Sequence, residues 1–261
     1  MKSLIASAFM LAVSAVSAMA DSLGQTQNIA FEYTASAFGL SLVKINMTFQ
    51  SQDGPFQATI KTQTTGIGSI KQFGYEAISV GTVNGAFVQP QRFDQYESSV
   101  KRGKFSDRSL AISFDGNQRP AVTYDPVPTF RPGEAVTMDE ATGAFDPLGF
   151  FVAMSRYVMA NKTCTASGNM YDGRSLLEMS IQGQGGQGVR TRAYKGPSEY
   201  CIATPRPLKG KATRDEEEDY YAPFDMWVAQ PLAGGPIIPV KMQTNFFIIP
   251  MTIELTSVSA I

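Results

Sequence analysis

The sequence contains no histidine, and that one absence removes several chemistries together. Neither a Ser-His-Asp nor a Cys-His nucleophilic arrangement can be assembled, and an HExxH zinc site is equally out of reach. Only two cysteines occur, Cys164 and Cys201, without CxxC spacing, which disfavours a redox-active pair or a cysteine-caged metal. Charged residues are 17% of the chain, and 22 basic against 23 acidic residues leave a net charge of −1. A near-neutral chain without a long basic run is not built for nucleic acid or for strong attraction to anionic membranes. Long apolar runs are missing too: none approaches the roughly 20 residues of a bilayer-spanning helix.

What is present begins with Met1-Lys2-Ser3, an apolar run from Leu4 to Val16, and Ser17-Ala18-Met19-Ala20 before Asp21. A cationic start, a short apolar stretch and small residues at Ala18 and Ala20 read as a secretory signal peptide over 1–20, cleaved after Ala20. No cysteine follows that point, so the expected product is an exported, periplasmic chain that is not a lipoprotein. Residues 21–261 are read as a single β-rich domain.

Alternation carries most of the rest. Phe31 and Tyr33 alternate with polar neighbours in Asn28–Ser36; Val43, Ile45, Met47 and Phe49 share one side of Leu40–Gln50; Phe56, Ala58 and Ile60 share one side of Phe56–Thr65. These are three strands of an antiparallel meander. Further strands are expected at Gly74–Val83 and Phe87–Val88 around Asn84-Gly85, then separately from Pro90 to Val100. Arg108–Phe114 and Ala121–Tyr124 follow, with loop from Asp125 to Gly143. Later strands are placed at Lys162–Tyr171, Ser175–Gln182, Val189–Tyr194, Glu199–Thr204, Phe224–Ala229, Ile237–Asn245 and Phe246–Val258. The glycine-rich Gln182–Gly188 reads as a flexible hairpin, and Gly66–Phe73 as a short helix or an irregular crossing. The basic turn Lys101-Arg102-Gly103-Lys104 and the acidic run from Arg214 to Tyr221 read as solvated loops.

One helix interrupts the strands. Asp146 is a good N-cap and Pro147 a good first residue, so a helix is expected over about 146–160. Leu148, Phe150, Phe151, Val152, Met154, Tyr157, Val158 and Met159 cover most of its circumference; only Ser155 and Arg156 are clearly polar. A helix apolar nearly all round is buried on several sides, as a sheet wrapped around it would ensure. Beyond it, Cys164 and Cys201 in an oxidising compartment are expected to form a structural disulfide, worth roughly 3 to 4 kcal/mol for a loop of about 38 residues.

Phe31-Glu32-Tyr33 with Gly39, Asp146-Pro147-Leu148, Cys164, Tyr171-Asp172-Gly173-Arg174, Tyr194, Cys201, Trp227-Val228-Ala229 and Ile238-Pro239-Val240-Lys241 occur in an order that resembles the bacterial domain of unknown function 3108 (DUF3108) family. The resemblance covers nearly all of the chain after the leader; Tyr171 stands where the family has a phenylalanine-type residue. It implies an exported envelope protein of a Gram-negative bacterium. The fold it implies is mainly β: a strongly curved, mostly antiparallel sheet in the manner of lipid-carrier half-barrels, open barrels or β-spirals. It implies no activity.

The functional expectation is therefore a binding surface rather than an active site. Phe150, Phe151, Met154, Met159, Trp227, Phe246 and Phe247 are the candidates for holding a lipid-like or hydrophobic ligand, with plain core as their competing role. The second reading is a scaffold without a ligand cavity that docks another envelope protein through exposed strand edges or the acidic loop, and a carboxylate-dependent hydrolase ranks last. Asp172, Gly173 and Arg174 are read as a structural turn, Asp172 accepting turn amides and Arg174 pairing nearby. No cofactor or metal is implied.

Overall fold

The computed structural model describes residues 27–51, 54–65, 72–101, 103–130, 133–210, 221–246 and 249–261. The expected leader over 1–20, most of the segment at 66–73, Arg102 of the basic turn, residues 214–220 of the acidic run and Phe247 lie outside the described residues.

Alternation builds β1 (Gln27–Ala37), β2 (Leu40–Ser51), β3 (Gly54–Thr64), β4 (Gln72–Asn84), β5 (Phe87–Lys101), β6 (Lys104–Phe114) and β7 (Pro120–Asp125). A helix, α1 (Pro147–Asn161), leads to β8 (Ala166–Tyr171), β9 (Leu176–Arg190), β10 (Lys195–Lys209), β11 (Phe224–Ala229), β12 (Ile238–Phe246) and β13 (Ile249–Ala260). All thirteen strands form one antiparallel sheet in the order β7-β6-β5-β4-β3-β2-β1-β13-β12-β11-β10-β9-β8. Two meanders thus fan out from a central β1–β13 ladder, where Phe31 faces Val258 and Ala37 faces Met251. The segment carrying α1 connects the two edge strands, and those edges touch: Tyr124 on β7 donates its hydroxyl to the carbonyl of Gly173, just after β8.

Two expected breaks are absent. Pro90 lies within β5 rather than before it, because the ladder shifts register between Val80 and Gly81, opposite the proline that cannot donate. Gly81 makes that close approach feasible; a Cβ there would lie 2.2 Å from the Gln89 carbonyl oxygen. The glycine-rich Gln182–Gly188 is likewise strand and not hairpin, since β10 pairs along its whole length, from Cys201 opposite Gly183 to Pro197 opposite Gly188. The turn falls later, where Thr191 donates its N–H to the Tyr194 carbonyl at 2.7 Å. In the other direction, Lys162–Thr165 is not strand; Lys162 caps α1 in the left-handed region at φ 56°.

The core has two parts. The larger gathers Phe31, Phe49, Phe93, Ile112, Val240 and Leu255 against Leu148 and Val152 of α1. The smaller surrounds the Cys164–Cys201 disulfide with Val158, Met179, Ile181, Ala203 and Met226. Its Cα atoms are 6.4 Å apart. Cys201 pairs with Gly183, and Gly183 donates its N–H to Thr165 Oγ1 at 3.0 Å, so the chain leaving α1 passes across β9 at a residue without a side chain.

Candidate ligand groove

Helix α1 is anchored by its first residues. Asp146 Oδ1 accepts the Leu148 and Gly149 amides at 3.0 and 2.8 Å, and Oδ2 accepts Ser79 Oγ from β4 at 2.9 Å. The carboxyl is fully buried, and burial pushes its pKa up to about 6 against the opposing pull of these hydrogen bonds. A buried carboxyl with a raised pKa invites a catalytic reading. Here both oxygens are engaged in capping and in tying helix to sheet, which accounts for the residue.

The two clearly polar residues of α1 are among its most buried: Ser155 and Arg156 are 4% and 1% exposed. Arg156 reaches across to donate to Ser51 Oγ at the end of β2, at 2.7 Å. The helix rests on β3, β4, β5 and β8. Its opposite flank, bearing Phe150, Phe151 and Met154, faces β9, β11 and β12 across an open apolar groove of about 180 Å³. Met179 and Ile181 on β9, Phe224, Met226 and Val228 on β11, and Met242 on β12 form the far wall.

Three of the seven candidate ligand residues therefore line one space: Phe150, Phe151 and Met154. Met159 does not; it is 7% exposed and packed into the interior. Trp227 does not either. Strand alternation turns Met226 and Val228 into the groove and Trp227 to the other face, where its ring stacks on Tyr200 at 5.1 Å. There its Nε1 donates to Gln187 Oε1 at 3.1 Å, and Lys241 Nζ lies 5.4 Å from the ring centre. Phe246 ends β12 with its side chain outside the described residues, as all of Phe247 is. The wall residues Met179, Ile181, Phe224, Met226, Val228 and Met242 were missed, although the period-two spacing of Phe224, Met226 and Val228 in one short strand carried the signal. Side-chain bulk had favoured Trp227 over its smaller neighbours.

The Asp172-Gly173-Arg174 turn is built as expected at its first residue: Asp172 Oδ1 accepts the Arg174 and Ser175 amides at 2.8 and 2.7 Å. Gly173, at φ 91°, lies against Leu110 and Val122 and accepts hydroxyls from both Tyr171 and Tyr124. Arg174 differs from expectation. It makes no ion pair among the described residues, and its Nε is buried without an acceptor. Burial and the nearby Arg108 guanidinium lower its pKa, while Glu97 and Asp172 oppose that shift. Burial raises the Asp172 pKa. The cluster joins sheet edges; it offers no nucleophile with a base beside it.

The sequence matches the family described as "Protein of unknown function (DUF3108)" over residues 32–256. No curated protein matches the chain. Among solved structures, it is similar to the "Beta-barrel-like Protein of Domain of Unknown Function DUF1849" from Brucella abortus, with a TM-score of 0.55 and 9% identity over 91% of this chain and 99% of that one. At that identity the likeness is one of fold.

Proposed function

The chain belongs to the DUF3108 family, and from its own residues we propose that it is a non-enzymatic, exported envelope protein that binds a lipid-like or hydrophobic ligand in the groove between α1 and strands β9, β11 and β12. The observation that carries this reading is the groove's lining, almost wholly aromatic, aliphatic and thioether. Methionines at 154, 179, 226 and 242 give it an adaptable surface suited to flexible apolar guests. At about 180 Å³ it is smaller than the roughly 300–1,000 Å³ of drug-sized pockets, so the guest is one acyl segment or one bulky apolar side chain. We read the sheet as curled around α1 in the manner of a lipid-carrier half-barrel. The Tyr124–Gly173 contact between its edges supports this, since a flat sheet of thirteen strands about 4.8 Å apart would keep those edges far apart. Export to the periplasm rests on the leader over 1–20 and agrees with a cross-linked cysteine pair.

Native mass spectrometry of protein purified from its own compartment tests the reading. An added mass that extracts into organic solvent is the expected result. A bare chain, together with no uptake of a fluorescent fatty acid, would overturn it and favour a scaffold docking another envelope protein.

A further inference from the structure

The antiparallel order places the β1–β2 turn, the start of β4, the β5–β6 turn and the exit from β7 at one end of the sheet. Among the described residues, most of the large exposed apolar side chains stand at that end. Phe38, Phe105 and Val127 are 75%, 63% and 78% exposed, with Leu40 and Phe73 beside them; the opposite end has Phe87 and Ile261.

Phe38 is the informative one. It adopts φ 50° and is followed by Gly39 at φ 78°, so the β1–β2 turn has two consecutive residues in the left-handed region. Hairpin turns of that kind favour Asn-Gly or Asp-Gly, and a bulky side chain there is strained. Strain that persists with no packing in return points to function. Burial against something outside the chain would supply the return.

The form of the end indicates what that is. The apolar residues are spread over separate segments, Phe38 and Leu40 flanking the β1–β2 turn, Phe73 near the start of β4, Phe105 near the start of β6 and Val127 after β7. Lys104, Ser106 and Asp107 are exposed around Phe105. A protein partner needs a continuous apolar centre, whereas a fluid lipid interface accepts separate aromatic tips without shape matching. Lys104, next to Phe105, makes no ion pair among the described residues and suits a lipid phosphate. We propose that this end of the sheet, carrying Phe38, Leu40, Phe73, Phe105 and Val127, rests on a lipid bilayer surface with its aromatic tips among the headgroups. The contact is driven by apolar insertion more than by charge, and it stands independently of the groove.

Co-sedimentation of the mature chain with phosphatidylethanolamine–phosphatidylglycerol vesicles tests this. Wild type should partition onto vesicles. Phe38→Asn, which installs the residue the turn prefers, should lower partitioning about tenfold, the equivalent of one buried aromatic side chain, while leaving thermal stability equal or higher. Phe87→Asn at the other end should change nothing, and Met226→Trp, which fills the groove, should leave vesicle binding intact. Absence of vesicle binding by wild type would overturn the proposal. So would a Phe38→Asn variant that loses stability and keeps its partitioning, or one whose only change is the loss of a self-associated form.

Discussion

Tyr124 and Gly173 lie on opposite edges of a thirteen-stranded sheet, and a hydroxyl-to-carbonyl hydrogen bond joins them. Tyr171 donates to the same oxygen at 3.0 Å. The contact is therefore a small shared node between the first and second meanders. Tyr124→Phe should cost about 1 kcal/mol of stability, and the double variant with Tyr171→Phe more, because Gly173 then loses both donors. Faster amide exchange confined to β7 and β8 would locate the effect, whereas unchanged exchange at both edges would show that the node does not hold them.

Asp146 gives stability a pH dependence of definite sign. Its pKa is about 6 in the folded chain and near 3.8 when exposed, so the folded state favours the protonated form. The contribution is full below about pH 4 and is lost as the pH rises through about 6, amounting to roughly 3 kcal/mol. Asp146→Asn keeps a capping side chain but cannot ionise. Denaturation of both proteins at pH 4 and pH 7 should show the wild type losing stability relative to the variant at the higher pH. Parallel behaviour at both pH values would refute the assignment.

Tyr33 is buried in the larger core, and its hydroxyl has no hydrogen-bond partner among the described residues. Burial also holds its pKa well above the ordinary tyrosine value. Removing the oxygen should help the fold: Tyr33→Phe is expected to raise stability by about 1 kcal/mol in chemical denaturation. A loss of stability would mean that the hydroxyl has an acceptor after all.

The Cys164–Cys201 bridge and the groove share a wall, because Met179, Ile181 and Met226 pack around the disulfide. Cys164→Ser should lower stability by about 2 to 4 kcal/mol. If the groove binds as proposed, the same change should weaken fatty-acid uptake through loss of wall order. Met226→Trp should block uptake sterically, at an overpacking cost of about 1 to 3 kcal/mol of stability. Trp227→Phe should leave uptake unchanged, which separates the groove from the face that carries the indole.

The strands with one wet face were legible because burial follows alternation: Ile29, Phe31, Tyr33 and Ala35 all point inward on β1. The helix was legible from Asp146-Pro147 alone. Misreadings arose where tertiary pairing overrode local chemistry. Pro90 signals a strand boundary until a bulge beside it, at Gln91 on the same strand, absorbs the missing donor. The glycines between Gln182 and Gly188 signal a loop until fifteen residues of β10 lie beside β9. The burial of Arg156 was not legible, because no sequence pattern could place Ser51 beside it. The groove was half legible: its helical wall came from composition, while its strand wall required knowing which face of β11 turns inward.

The central ladder sets an order on assembly. Ile29 faces Ala260, and the Ile261 amide donates to Asn28 at 2.9 Å, so the two strands at the sheet's middle are joined only after more than 200 residues of intervening chain. The first meander is built from local pairings, whereas the side of β1 that faces β13 finds its partner only across that length of chain. A chain that has not yet paired β13 would present β1 as an open edge of the kind that templates aggregation.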